Sequence, residues 1–153
     1  MYTKEEVKRL KEKFWTAFGQ YMSAVPSAGG EKVNWVNYKT GVKYLFFRMD
    51  ADNKVARVYI EIAHPDHGIR HLMYAQFLEL SAVFESLSEV KWIWYEDHYD
   101  DYGKVTSRMV SQIDNVSIFN QQDWPALISF FKSRMIILDD FWDTARYSFD
   151  IFK

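Results

Sequence analysis

The order of periodicities along the chain predicts an α+β fold with the element sequence α-ββ-α-ββ-α. Apolar residues recur every three to four positions in three long segments, the mark of amphipathic helices, and alternate with period two in shorter runs, the mark of strands. Turn-forming residues separate the alternating runs, so they read as hairpins. Hairpins divided by helices give about four mainly antiparallel strands in one sheet, with three helices packed on it. At 153 residues, with no linker or low-complexity stretch, residues 1–153 are expected to form a single domain. Residues 43–87 and 90–147 form two hairpin-plus-helix units in tandem, with no residue-level repeat between them.

The first helix opens on a capping box, Thr3-x-x-Glu6, which satisfies amides that lack partners in the first turn. Val7, Leu10, Phe14, Phe18, Tyr21 and Val25 follow at helical spacing, and Pro26 with Gly29-Gly30 ends the helix. From Lys43 the period becomes two. Leu45, Phe47 and Met49 alternate with Tyr44, Phe46 and Arg48, and the turn Asp50-Ala51-Asp52-Asn53 leads into a second strand. There Val58, Ile60 and Ile62 share one face, and Arg57, Tyr59 and Glu61 the other.

Pro65 and Gly68 interrupt the strand, and Asp66 is placed to cap a second helix. Its apolar stripe reads Ile69, Leu72, Met73, Phe77, Leu80, Phe84 and Leu87. Val90 to Tyr95 is the third strand, Glu96 to Gly103 a polar, acidic connection, and Lys104 to Ile113 the fourth strand. A short extended piece is expected at Val116 to Phe119. Asp123 caps the third helix, which carries Pro125 in its first turn and Leu127, Phe131, Met135, Leu138, Trp142 and Ala145 as its apolar stripe.

Composition narrows the function classes. Aromatic residues make up 18%, with 6 Trp, 10 Tyr and 12 Phe, more than a small core needs, which points to an aromatic surface or a self-association face. Net charge is −2, from 19 basic and 21 acidic residues, which disfavours binding nucleic acid through bulk electrostatics. With no cysteine there is neither a disulfide framework nor a thiolate metal site, and a cytoplasmic location is expected. The N-terminal residues begin directly on a charged helical pattern without a signal segment, and no apolar run approaches the length of a membrane span.

Several stretches together resemble a known family. They are Asn53-Lys54 through Arg57-Val58-Tyr59-Ile60-Glu61-Ile62, Gln76-Phe77, Trp92-Ile93-Trp94-Tyr95-Glu96, Ser107-Arg108 and Asp123-Trp124-Pro125. The chain is similar, roughly from Lys4 to Phe149, to a bacterial family of domains of unknown function. Members occur as short stand-alone proteins and as the C-terminal part of nuclease-like or restriction-associated proteins. The resemblance implies an accessory or interaction role and brings no active site with it.

The nuclease context invites a test for metal chemistry, which needs an Asp on one strand and Glu-x-Lys on the next. Asp50 or Asp52 precedes Glu61, but Ile62 and Ala63 follow it, and both aspartates sit where a turn wants them. His67 and His71 lie one helical turn apart and His64 is close by, so Glu61, His64, His67 and His71 are the candidate metal ligands; a solvated helix start is the plainer reading. The acidic connection around His98 reads as a solvated hairpin tip. The candidate interface is Tyr44, Phe46 and Arg48 beside Arg57 and Tyr59, aromatic and guanidinium groups of the kind that line protein interfaces and stack unpaired bases.

No catalytic residue set or cofactor motif is present in the sequence. The first expectation is a non-catalytic interaction or accessory module acting through an aromatic surface, with a protein partner or a second copy. A nuclease-related metal-dependent hydrolase and a single-stranded nucleic acid binder are the alternatives. No membrane partner is expected.

Overall fold

The computed structural model describes residues 2–153. Among the described residues, four α-helices and four strands run in the order α1 (Lys4–Met22), β1 (Leu45–Ala51), β2 (Val55–Ile62), α2 (His67–Glu79), α3 (Ser81–Leu87), β3 (Ile93–Tyr99), β4 (Val105–Asp114) and α4 (Trp124–Ala145). Short 3-10 turns at Gln121–Asp123 and Arg146–Phe152 flank α4. The fold is α+β, as the periodicities predict, with one more α-helix than expected.

All four strands pair antiparallel in the spatial order β1-β2-β4-β3, so the two hairpins lie side by side and meet along β2 and β4. Alternation then decides which residues meet the helices. Leu45 and Phe47 of β1, Ala56, Val58, Ile60 and Ile62 of β2, and Met109 of β4 are buried in the helix-packed core. The aromatic content does much of the filling there. Phe47 meets Trp142 edge-on at 5.6 Å, Phe14 meets Phe131 at 5.9 Å, and Phe77 lies 4.5 Å from Phe149. Such pairs add a directional preference to simple area burial.

Local chemistry accounts for most element ends. The hydroxyl oxygen of Thr3 accepts from the Glu6 amide at 3.1 Å, half of the expected capping box, while the Glu6 carboxylate accepts from the Thr3 hydroxyl and not from its amide. The Asp66 carboxylate caps α2 as read, accepting from the Ile69 amide at 2.9 Å. The β1–β2 turn is closed by Asp52, whose Oδ1 accepts from the amides of Lys54 and Val55. Gly103 takes φ +80° in the β3–β4 turn, a conformation that disfavours side chains.

Six boundaries or faces differ from expectation. The segment read as one helix over 69–87 breaks at Leu80, which adopts φ −96° and ψ 8°. Beyond the break Phe84 meets Trp92 at 5.2 Å and Phe141 at 5.2 Å. The buried side of α2 is Arg70, Met73, Tyr74 and Phe77, while Leu72 is 62% exposed. The first helix stops at Met22, and its stripe is Phe14, Phe18 and Met22, leaving Tyr21 half exposed. β3 begins at Ile93 and runs through Glu96, Asp97 and His98 to Tyr99, so the first half of the stretch read as an acidic connection is strand.

Asp123 precedes α4 but does not cap it with its side chain; its carboxylate accepts from the Ser117 amide at 2.9 Å. Residues 116–119 form no strand, yet the amides of Val116 and Ile118 bond the carbonyls of Lys54 and Asp52, tying this segment to the β1–β2 turn.

Candidate functional site

The sheet face turned away from the core follows from the same alternation. Across β1, β2 and β4 the register sets Phe46 beside Glu61 and Arg108, Arg48 beside Tyr59 and Val110, and Asp50 beside Arg57 and Gln112. β3 extends the first two rows with Tyr95 opposite Arg108 and Ile93 opposite Val110. Among the described residues, none of Phe46, Tyr59, Ile93, Tyr95 and Val110 belongs to the helix-packed core. Ile93 is 55% and Tyr95 42% exposed.

Glu61 is the centre of this face. Its Oε1 accepts from Arg48 Nε at 2.8 Å and its Oε2 from Arg108 at 2.9 Å. Each arginine also covers a ring. The Arg48 guanidinium lies 4.1 Å from the Phe46 centroid, and that of Arg108 lies 4.6 Å from Tyr59. Ring contact and ion pairing together restrain both guanidiniums over this face of the sheet. Arg57 completes the row, donating to Gln112 at 2.9 Å and approaching Asp50 at 3.4 Å. The Tyr59 phenol is pushed above its ordinary range, first by burial and then by the charge of Asp50, with Arg108 opposing.

Of the residues picked out as an interface, Phe46, Arg48, Arg57 and Tyr59 thus share one face. Tyr44 lies outside the ladder. It precedes β1 with φ +67°, and its ring stands edge-on to His64 with centroids 4.9 Å apart.

The four residues considered as metal ligands go to different places. Both oxygens of Glu61 are taken by guanidiniums, and His64 Nδ1 accepts from the Asp66 amide at 3.0 Å. His67 and His71 do converge, but on a side chain. Arg70, 1% exposed, has its guanidinium 3.4 Å from His67 Nδ1 and 3.1 Å from His71 Nε2. Among the described residues, no group of three or more His, Asp and Glu side chains is gathered so as to hold a metal ion.

Arg70 has its own task. Between Tyr95 and His98 the β3–β4 register slips, leaving Glu96 and Asp97 out of step with the ladder. Arg70 donates to the Glu96 carbonyl, to Ser107 Oγ at 2.8 Å and to Asp97 Oδ1 at 2.8 Å, while Ser107 donates to the same carbonyl at 2.6 Å. A buried guanidinium therefore pairs the groups that the bulge frees. Its hydrogen bond to Asp97 holds that carboxyl below its ordinary value.

A second buried polar pair joins the 23–44 connection to α4. Tyr38 donates to Asp139 Oδ1 at 2.6 Å, and the Ala28 amide donates to Oδ2 at 2.7 Å. Burial raises the Tyr38 phenol, and the adjoining Asp139 carboxylate raises it further. Sequence reading passed over Asp139 and Arg70 because each sits on a helix where a charged residue ordinarily faces water. Arg108, Ile93 and Tyr95 were within reach of it, since period-two alternation assigns them to the same face as Tyr59.

No helix among the described residues is long and apolar enough to cross a membrane. No curated protein matches the chain, and no solved structure does. The family DUF4268, described as a domain of unknown function, matches residues 10–146, and the chain belongs to that family.

Proposed function

We propose that this chain is a non-catalytic interaction module whose protein-binding surface is the sheet face turned away from the helices. The observation that carries the reading is the preset row formed by Glu61, its two guanidiniums and the rings beneath them, flanked by exposed Ile93 and Tyr95. Aromatic and arginine side chains held rigid in this way are what the energetic centres of interfaces use, because little side-chain entropy is left to lose on binding. A second copy of the chain is the first partner to test, since the aromatic surplus in the sequence reads as a self-association face. The stand-alone and C-terminal, nuclease-associated occurrence implied by the sequence resemblance also fits an accessory role, and the lack of cysteine fits a reducing cytoplasm.

Sedimentation velocity over a wide concentration range tests the self-association reading. The chain is expected to dimerise, and Ile93→Asp is expected to return it to a monomer without unfolding it. A chain that stays monomeric throughout, or a dimer indifferent to Ile93→Asp, contradicts the reading.

Single-stranded nucleic acid is the second reading, favoured by three guanidiniums and several rings on one open sheet and opposed by the net charge of −2. Oligonucleotide titration at two salt concentrations separates the readings, because a phosphate-binding face loses affinity as salt rises. A metal-dependent hydrolase built on Glu61 would first have to free that carboxylate from both Arg48 and Arg108.

A further inference from the structure

We infer that the cleft at the end of the sheet, where β1 begins and β2 ends, binds a ligand that joins a flat ring to a phosphate, a nucleoside monophosphate being its simplest form. The cleft encloses about 700 Å³, within the range of small-molecule sites, about 300–1,000 Å³. Its lining divides by chemistry. Tyr44 and Phe46 provide rings, while Arg48, His64, His67 and Lys104 provide nitrogen groups suited to an anion.

Charge within the cleft is unbalanced in favour of an anion. Glu61 is the sole carboxylate in the lining, and both of its oxygens are engaged by Arg48 and Arg108. Lys104 has no ion-pair partner among the described residues, although its backbone is pinned by Asp100, whose Oδ1 accepts from the Lys104 amide at 2.8 Å. His64 accepts through Nδ1 from the Asp66 amide, which leaves Nε2 as the ring's donor.

Backbone conformation adds an independent sign. Tyr44 takes φ +67°, where a residue bearing a Cβ sits only under constraint. The constraint is visible: its carbonyl accepts from the Ala63 amide at 2.8 Å, and its ring is set edge-on to His64. Held this way, Tyr44 contributes to the cleft wall instead of continuing the strand.

This inference goes beyond the interaction reading and does not depend on it. Isothermal titration of the full chain with AMP, adenosine and inorganic phosphate at low salt tests it. AMP is expected to bind one per chain, about tenfold or more tighter than adenosine or phosphate, since only AMP carries both the ring and the phosphate. Lys104→Glu, on an exposed turn, is expected to weaken AMP by about tenfold with an unchanged melting temperature. AMP binding no tighter than phosphate, or binding untouched by Lys104→Glu, overturns the inference. A 5′-phosphorylated single-stranded hexamer competing at lower concentration than AMP would identify the source as a strand end, and weaker competition would identify a free nucleotide. Failure of AMP to bind leaves the self-association test standing, because that test reads the chain's mass alone.

Discussion

Arg108 and Glu61 stand directly opposite each other on neighbouring strands, joined at 2.9 Å, and the same guanidinium covers the Tyr59 ring at 4.6 Å. Glu61 is thereby the counterion shared by two cations on this face. Replacing it by Gln leaves Arg48 and Arg108 beside each other without a shared counterion. Glu61→Gln is expected to lower stability by about 1–3 kcal/mol in urea unfolding, the cost of unsatisfying charged groups that are half-buried. The loss should shrink in Glu61→Gln/Arg108→Gln, because the uncompensated cation is removed as well.

Arg70 should be less replaceable than its place on a helix suggests. It donates at once to a bulge carbonyl, Ser107 and Asp97, and a lysine cannot reproduce that planar fork. Arg70→Lys is expected to destabilise by about 1–3 kcal/mol, the cost of leaving buried polar groups without their partners. Hydrogen exchange should locate the damage in β3 and the start of β4.

Asp97 gives that contact a pH signature. Its folded pKa lies below the ordinary 3.8, so it binds its proton less readily folded than unfolded. The stability it contributes is present above that ordinary value and disappears as pH falls through the folded value. Asp97→Asn should therefore narrow its stability gap to the unsubstituted chain on acidification below pH 4, roughly. A gap constant down to strongly acid pH would contradict the contact.

Tyr38 predicts the opposite limb. Its folded phenol holds its proton well above the ordinary 10.0, so the stabilisation is complete below that value and is lost as pH rises beyond it, when the unfolded chain ionises first. Tyr38→Phe should cost about 1–3 kcal/mol at neutral pH, by leaving Asp139 Oδ1 without its donor. It should also flatten the alkaline loss in thermal unfolding.

Phe84 tests the broken helix. It is buried between Trp92, Trp94 and Phe141 because the chain turns at Leu80. Phe84→Ala is expected to cost about 3–5 kcal/mol, the range for truncating a core phenylalanine. A nearly silent substitution would contradict the burial of Phe84 among these three rings.

Period-two alternation was sufficient to read the sheet face. Phe46, Arg48, Arg57 and Tyr59 fall together because residues of one parity on paired antiparallel strands must share a side. Tyr44 obeys the same parity and yet lies outside the ladder, because with its positive φ the strand begins one residue later, at Leu45. Glu96 and Asp97 look like a solvated tip from their charge. They are strand because Arg70, 26 and 27 positions earlier, supplies donors that no local pattern announces. The split at Leu80 was hidden for a similar reason, since the pull on Phe84 comes from Phe141 on a distant helix. What stayed illegible depended on long-range partners, and what was legible depended on spacing.

Residue-resolved NMR spectra of the chain at low and high concentration test most directly whether the sheet face is a contact surface. Concentration-dependent shifts are expected to cluster at Phe46, Tyr59, Ile93, Tyr95 and Val110. Shifts confined to the outer surfaces of α1 and α4, with the sheet face unchanged at every concentration, would contradict it.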